Sequence, residues 1–455
     1  MDHQRIGNER LAALDVLDRL SRARRSLDRL METHLEGRDL MHSRQKNLFF
    51  ALVYGVLRWR ALLDWHIDHF SKNGLAGIHP RVLDILRMGL FQVLFMDRIP
   101  DAAAVNTSVH LARSCGLAWA AGFVNALLRT CVRCRKGAAL PAFAEDPARA
   151  LAVRKSLPLW LSQRWLERYG LSQCLALADA VNCIPRITVR ANTLLIRRSE
   201  LLNAIRSTVG DAGKTVHAPD GITFSPPGGA LSQMDAFCHG LFQVQDEAAQ
   251  LVTLMLAPQP GETVLDACAG LGGKTGHMAQ LMKNRGHIVA MDRVRWRLAK
   301  LEAEMQRLKV SAVSTRVHDL NRPDASLEAA FDRVLLDAPC SGLGVLQRNP
   351  DAKWSVSEDD IPRHHEIQTR LLAGVSRWVR PGGRLVYAVC SMEPEENEAV
   401  VARFLRSHPD FGLQTAVADG GPISGDLLSR DGFLKTLPHI HAMDGFFAAA
   451  FTRKA

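Results

Sequence analysis

Three observations predict a multidomain chain: an all-helical bundle, a small α+β module and an α/β Rossmann-like domain. Apolar residues recur at helical spacing through residues 1–140. In residues 141–238 a strand-like alternation, Arg186–Asn192 (RITVRAN), stands between helical stretches. From 239 to 455, short apolar strands alternate with helices, the pattern of a parallel sheet. With 455 residues the chain can supply each part with a core of its own.

In the first part, Ile6–Leu30 carries Leu11, Leu14, Leu17, Leu20, Leu27 and Leu30 on one stripe, with Arg19, Arg22, Arg24, Arg25 and Arg29 around it. Further helices are expected at Ser43–Leu57, Trp59–Ser71, Pro80–Asp97 and Asp101–Cys115, with Asp101 as an N-cap; Gly122–Arg129 closes the bundle. Residues 1–140 hold 21 Lys/Arg against 13 Asp/Glu, and the remainder 36 against 34. Most of the net charge of +10 therefore lies in the first part. It suits a polyanionic partner; a solvated helical surface is the equal alternative.

Hydrophobic content of 47% and charged content of 23% are ordinary for globular protein. No apolar run approaches the ~18 residues of a membrane span. Leu48–Leu57 ends at Arg58 and Arg60, and Leu11–Leu20 is broken by Asp15, Asp18 and Arg19, so neither a membrane nor a signal peptide is expected. The expected location is cytoplasmic. Nine scattered cysteines argue against a disulfide framework. Cys131-Val-Arg-Cys134 has zinc-ligand spacing but no second pair, so no metal is expected.

The second part opens with breakers at Gly137–Pro141 and Asp146-Pro147. A helix is expected over Leu157–Leu177, a helix over Glu200–Ser207 capped by Ser199, and a strand over Gly221–Ser225. In the third part the expected strands are Thr263–Ala267, His287–Met291, Ser314–His318, Phe331–Leu336 and Arg384–Val389, with helices such as Lys274–Lys283 and Trp296–Lys309 between them.

The C-terminal ends of such strands form the ligand edge. The first strand runs into Asp266–Thr275, DACAGLGGKT. A P-loop would need glycine at 268, where Cys268 stands, and a dinucleotide fingerprint a small residue at 275, where Thr275 stands. A methyl-donor site fits better. Gly270, Gly272 and Gly273 let backbone approach a small cofactor. The helix starting near Lys274 offers N–H groups and a cation to the methionine carboxylate of S-adenosylmethionine. Asp292 ends the second strand, where it can accept from ribose hydroxyls, and Asp319 follows the third, within reach of an adenine amino group.

Two thiols share that edge. Phe331–Leu336 runs into Asp337-Ala-Pro-Cys340-Ser-Gly342, and the fifth strand into Cys390-Ser391. A thiol is needed beside a methyl donor for methylation at pyrimidine C5, which is too poor a nucleophile alone. Thiolate addition at C6 makes C5 enamine-like. An acid on N3 assists, and Asp337, at least partly protonated, is the candidate. The target base must be unpaired or extruded. The residues alone leave open which cysteine attacks.

Three stretches in the first part, RQKNLFFALVYGVLRWRALLDWHI, FQVLFMDRIPDAAAVNTSVHLA and GFVNALLR, resemble the NusB-type RNA-binding bundle. They are similar to the form fused to RsmB/Sun (Fmu)-type 16S rRNA cytosine-C5 methyltransferases. That resemblance implies a class I methyltransferase domain using S-adenosylmethionine, with 16S ribosomal RNA as partner and no stable protein partner. Cys268, Ala269, Gly270, Leu271, Gly272, Gly273, Lys274, Asp292, Asp319 and Asp337 fall on the family's cofactor-contacting positions. The family's usual CAAPGGKT reads CAGLGGKT here, and Val389 replaces its usual Thr.

Pro339-Cys340 also resembles the nucleophile motif of DNA cytosine-C5 enzymes. In the RNA family the fifth-strand cysteine attacks, which implies Cys390 as nucleophile and Cys340 as the release group. Arg190-Ala-Asn-Thr193 resembles the family's RVNT element and implies RNA contact by Arg190 and Asn192. Arg348–Trp354 (RNPDAKW) resembles RHPDIKW, which implies phosphate contacts from Arg348 and Lys353, with Trp354 stacking on a base or packing the loop. Asp444-Gly-Phe-Phe447 also matches and is expected to close the sheet beside the pocket. The alternatives are the same chemistry on transfer RNA or DNA, or a non-catalytic RNA-binding assembly factor. Because phosphate neutralisation releases counterions, RNA affinity is expected to fall steeply with salt in a titration; salt-independent binding would discount the basic first part.

Overall fold

The leucine stripe read over Ile6–Leu30 forms two helices, Asn8–Arg22 and Leu27–Glu36. The computed structural model describes residues 8–22, 27–36, 42–72, 74–134, 138–227, 229–322, 324–414 and 423–455. Ile6, Arg24, Arg25 and Gly137 lie outside these. The chain divides into two compact units, Met1–Cys183 with Asn349–Val356, and Ile184–Arg348 with Ser357–Ala455.

In the first unit the helices Ser43–Phe70, Pro80–Phe95, Asp101–Ser114 and Ala121–Arg133 join the first two around a core that includes Leu14, Leu17, Leu30, Phe49, Leu52, Ile85 and Leu128. The helices expected at 43–57 and 59–71 run on as one, interrupted only by non-helical backbone at Trp59. Gly55 lets the Phe91 ring pack against this helix, since a Cβ would lie 2.0 Å from it. Asp101 opens its helix, but the cap is Pro100, whose fixed φ suits that entry. Part of the basic charge is internal: Arg81 holds Asp15 at 2.7 Å and Asp18 at 3.3 Å, and Arg87 holds Asp64 at 2.7 Å and Asp84 at 2.8 Å. Arg19, Arg29, Arg44, Arg129 and Arg133 are exposed.

The helix Pro147–Arg154, in a stretch expected to be only a connection, and the helix Leu159–Asn182, expected over Leu157–Leu177, both placed in the second part by the sequence, belong to this unit. So does the segment 349–356. Lys353 is 1% exposed. Its Nζ donates to Arg58 O at 3.2 Å, Ser156 O at 3.3 Å and Asn182 Oδ1 at 2.6 Å. Burial pushes its ammonium well below the ordinary value. Lys353 is therefore no phosphate contact, since every donor is spent inside. Trp354 packs: its Nε1 donates to Leu57 O at 2.6 Å, and the Arg60 guanidinium lies 5.3 Å from its ring centre.

The second unit begins with a four-stranded antiparallel sheet: β1 Ile187–Ala191, β2 Gly213–Lys214, β3 Gly221–Phe224 and β4 Phe242–Val244, in the order β2-β3-β1-β4. β4 lies past the boundary read at 238. The helix Arg198–Val209 crosses between β1 and β2; its N-cap is Arg197, whose backbone N donates to Glu200, and Ser199 lies inside the helix.

The larger sheet follows: β5 Thr263–Asp266, β6 His287–Asp292, β7 Val313–Val317, β8 Phe331–Asp337, β9 Val379–Val389, β10 Phe411–Leu413, β11 Leu434–Lys435 and β12 Phe447–Arg453. Its order is β10-β12-β9-β8-β5-β6-β7, with β11 also on β12. The five central strands pair in parallel, and β12 runs antiparallel to β9. The chain winds outward from β5 one way through β6 and β7, the other way through β8 and β9. The β5/β8 boundary is thus the topological switch point, where a ligand crevice opens beyond the strand ends. Among the described residues no helix is long and apolar enough to cross a membrane.

Candidate active site

β8 and β9 end together, with Asp337 opposite Ala388 and Ala338 N donating to Ala388 O at 2.9 Å. From this shared end Pro339 and Gly342 (φ 71°) turn one loop, and Cys390 follows directly from β9. The turn brings Cys340 Sγ to 3.3 Å from Cys390 Sγ. Cys340 is held as a thiol. Its hydrogen bond with Cys390, then burial, then the charges of Cys390 and Glu396 push it well above the ordinary thiol value.

The β5 loop has the shape a small cofactor needs. Gly270 (φ 56°) and Gly272 (φ 86°) are both left-handed, and a Cβ on Gly272 would lie 2.7 Å from Leu301. Asp292 Oδ2 accepts from Gly270 N at 3.2 Å, and its Oδ1 from Val294 N at 2.8 Å. Leu271, where the family has proline, is 51% exposed at the loop's tip. Asp319 accepts from Asn321 N and Nδ2 at 3.0 and 2.9 Å, and these bonds lower its pKa. It thus stands as an ionised acceptor beyond β7. Burial pushes the Cys268 thiol up, out of reactive range. The glycine cradle, the acids beyond β6 and β7 and the N-terminus of helix Gly273–Leu281 fit S-adenosylmethionine.

Lys274 links the two halves: its Nζ donates to Asp337 Oδ2 at 2.6 Å. Burial works against this ammonium, but Asp337 outweighs it and its pKa is raised. The cation read from sequence as a carboxylate partner for cofactor is therefore engaged by Asp337.

Beneath the loop, burial, aided by Asp337 and Asp292, pushes Asp266 up to about 7 against the lowering bond from Thr275 Oγ1 at 2.7 Å. A carboxyl raised on folding contributes stability that is fully present at low pH and is lost as pH rises from about 4 through about 7. Asp266→Asn should therefore match wild type near pH 4 and exceed it by about 2–4 kcal/mol at pH 8, in paired thermal melts without cofactor. A difference constant across that range would remove Asp266 from the pH response.

Two residues expected at RNA face inward. Arg190 is 1% exposed. Its guanidinium donates to Gln280 Oε1 at 3.1 Å, Gly273 O at 3.0 Å, Gln243 Oε1 at 2.8 Å and Gln245 Oε1. It pins the glycine loop from below, and burial lowers its pKa to about 9. Asn192 is buried too, donating to Gly240 O and Leu308 O, both at 2.9 Å. Neither is placed to contact RNA, because both are buried with their donors engaged inside the unit. Arg348 is more open but engaged: Nη2 meets Asp246 at 2.7 Å and Nε meets Asp444 at 3.0 Å. The Asp444 pair fastens this loop to the segment that enters β12, with the Arg348 side chain still 28% exposed.

Sequence reasoning missed Glu396, which receives both thiol loops, and the glutamines Gln243, Gln245 and Gln280 around Arg190. Met392–Asn397 (MEPEEN) was visible as an acidic run after Cys390, but nothing local marked which carboxylate turns inward.

The family profile described as 16S rRNA methyltransferase RsmB/F matches residues 253–452, the NusB family profile residues 7–133, and an RsmF/B-like ferredoxin-like domain residues 157–229. The probable ribosomal RNA small subunit methyltransferase B of Bacillus subtilis is 33% identical over 97% of this chain and 98% of its own. That of Synechocystis is 36% identical over 88% and 89%. The crystal structure of PH0851 superposes with a TM-score of 0.81 over 97% of each chain, at 27% identity. With its parallel sheet, glycine cradle and strand-end acids, this chain belongs to the RsmB/F family of S-adenosylmethionine-dependent 16S rRNA methyltransferases, with a NusB-family domain at its N-terminal side.

Proposed function

We propose that the protein makes 5-methylcytosine in small-subunit ribosomal RNA by covalent catalysis. The observation that carries this reading is the thiol pair, 3.3 Å apart at the ends of two adjacent strands, beside the Lys274–Asp337 pair. An enzyme methylating a ring nitrogen or a ribose hydroxyl has no use for two thiols there.

Cys390 adds as thiolate to C6, and the C5–C6 π electrons move toward N3. Asp337 holds N3 and passes it a proton drawn from Lys274, so no anion builds up on the ring. S-adenosylmethionine, bound at the glycine cradle, supplies the electrophilic methyl group that C5 takes. Cys340, after giving its own proton to solvent, then removes the C5 proton; the C5–C6 double bond re-forms as the S–C6 bond breaks and Cys390 leaves as thiolate, and N3 returns its proton through Asp337 to Lys274. The timing follows from what holds Cys340 protonated. Its largest influence is the bond to Cys390, together with that sulfur's charge. Once Cys390 is a neutral thioether both of these influences end, so ionisation of Cys340 becomes easier, although burial and Glu396 still oppose it.

Tritium placed at cytosine C5 of unmethylated 16S RNA tests the reaction. One tritium released per methyl group transferred is expected. Methyl transfer without release would move the reaction to another atom, and faster release from transfer RNA would move the substrate.

A further inference from the structure

The two thiols depend on a contact that neither makes itself. Glu396 is fully buried. Its Oε1 accepts from Ser341 N at 2.8 Å and Gln368 Nε2 at 3.0 Å; its Oε2 accepts from Ser341 Oγ at 2.5 Å and from Ser391 Oγ. Ser341 follows Cys340 and Ser391 follows Cys390, so one carboxylate fastens both thiol loops. Gln368 extends the clamp by donating to Pro339 O at 3.0 Å, on the other side of Cys340. Glu396 is itself fixed: Tyr387 OH donates to its carbonyl at 2.5 Å, and Asn397 Nδ2 donates to Ser391 O at 3.2 Å.

A buried carboxylate is costly unless donors replace its water. Here four donors do so, and three of the four come from the two residues that follow the cysteines. An apolar side chain would fill this space without tying the loops. We propose that Glu396 is a positioning residue that sets the spacing of the Cys340–Cys390 pair for attack and release. The inference rests on the covalent reading of the two thiols. In this arrangement the hydroxyls of Ser341 and Ser391 rotate freely enough to accept as well as donate. Glu396→Gln therefore keeps the clamp, whereas Glu396→Ala opens it.

Two measurements on the full-length protein separate the clamp from the chemistry. The first is the rate at which diamide, itself reduced to the hydrazine, oxidises Cys340 and Cys390 to a disulfide. That rate reports sulfur spacing whatever the enzyme methylates. The second is steady-state methyl transfer. In Glu396→Ala, disulfide formation should slow at least ~10-fold and kcat fall ~10²-fold, the scale of a misplaced reacting group. KM for S-adenosylmethionine should stay within about twofold, since the clamp does not touch the β5 loop, and Glu396→Gln should recover kcat to within ~10-fold of wild type. Wild-type disulfide rates in Glu396→Ala overturn the proposal, as does a loss of kcat matched by an equal loss of cofactor affinity. If that variant does not fold, Ser341→Ala and Ser391→Ala, each freeing one end, carry the same readouts; wild-type values in both overturn it. Failure of wild type to release C5 tritium would instead overturn the covalent reading, with the diamide result still standing.

Discussion

Cys340→Ala, incubated with substrate RNA and S-adenosylmethionine, is expected to accumulate a protein–RNA adduct that survives a denaturing gel, while Cys390→Ala and the double variant should form none. Both single variants should lose at least ~10³-fold in turnover, about 4 kcal/mol of barrier, for different reasons. Without Cys390 no S–C6 bond forms and C5 stays unreactive. Without Cys340 attack and methyl transfer proceed, but the C5 proton has no base and the thioether persists. The 3.3 Å contact makes the pair divisible in this way: both sulfurs stand at one point of the site, and the part of the Cys340 shift that comes from Cys390 is lost once Cys390 has reacted. An adduct confined to Cys390→Ala would reverse the roles, as in the DNA-type enzymes. No adduct from any variant would remove covalent catalysis.

Arg190→Met is expected to destabilise the second unit by about 3–5 kcal/mol, because it takes a charge and its hydrogen bonds from a closed site. Gly273 O and three glutamine oxygens would be left to find new donors. The damage should reach function through the cofactor. Gly273 opens the helix at the glycine cradle, and a loosened loop should bind S-adenosylmethionine ~10-fold more weakly by calorimetry. Arg190→Lys should recover little, since one ammonium cannot span four acceptors placed around a planar fork. A surface RNA contact behaves oppositely: its loss leaves stability and cofactor affinity intact and lowers the salt slope of RNA binding by about 1. The two outcomes do not overlap.

These residues mark where local pattern stops being informative. Arg190 lies in RITVRAN, whose alternation identifies a strand but not which of its faces is covered. Both are: the helix Arg198–Val209 packs with the β1 sheet, and the guanidinium meets partners 53 to 90 residues distant. Lys353 reads as a loop cation, yet its partners are 171 to 295 residues away. β12 was legible only at its first residue, because FAAAFTR is poor in the β-branched side chains that announce a strand. Its alanines are buried by tertiary packing.

The sequence by itself determined the strand ends that carry Asp337, Cys340, Cys390 and the glycine loop. Glycine, proline and a short apolar run constrain backbone within a few residues. It also determined the helical character of the first part, through its leucine stripe. Only the tertiary structure decided that Lys274 pairs with Asp337, that Arg190, Asn192 and Lys353 turn inward, and that Glu396 fastens both thiols. The reason is energetic. A buried charge or carboxylate is tolerated only where several distant donors or acceptors converge on it, and that convergence is a property of the fold.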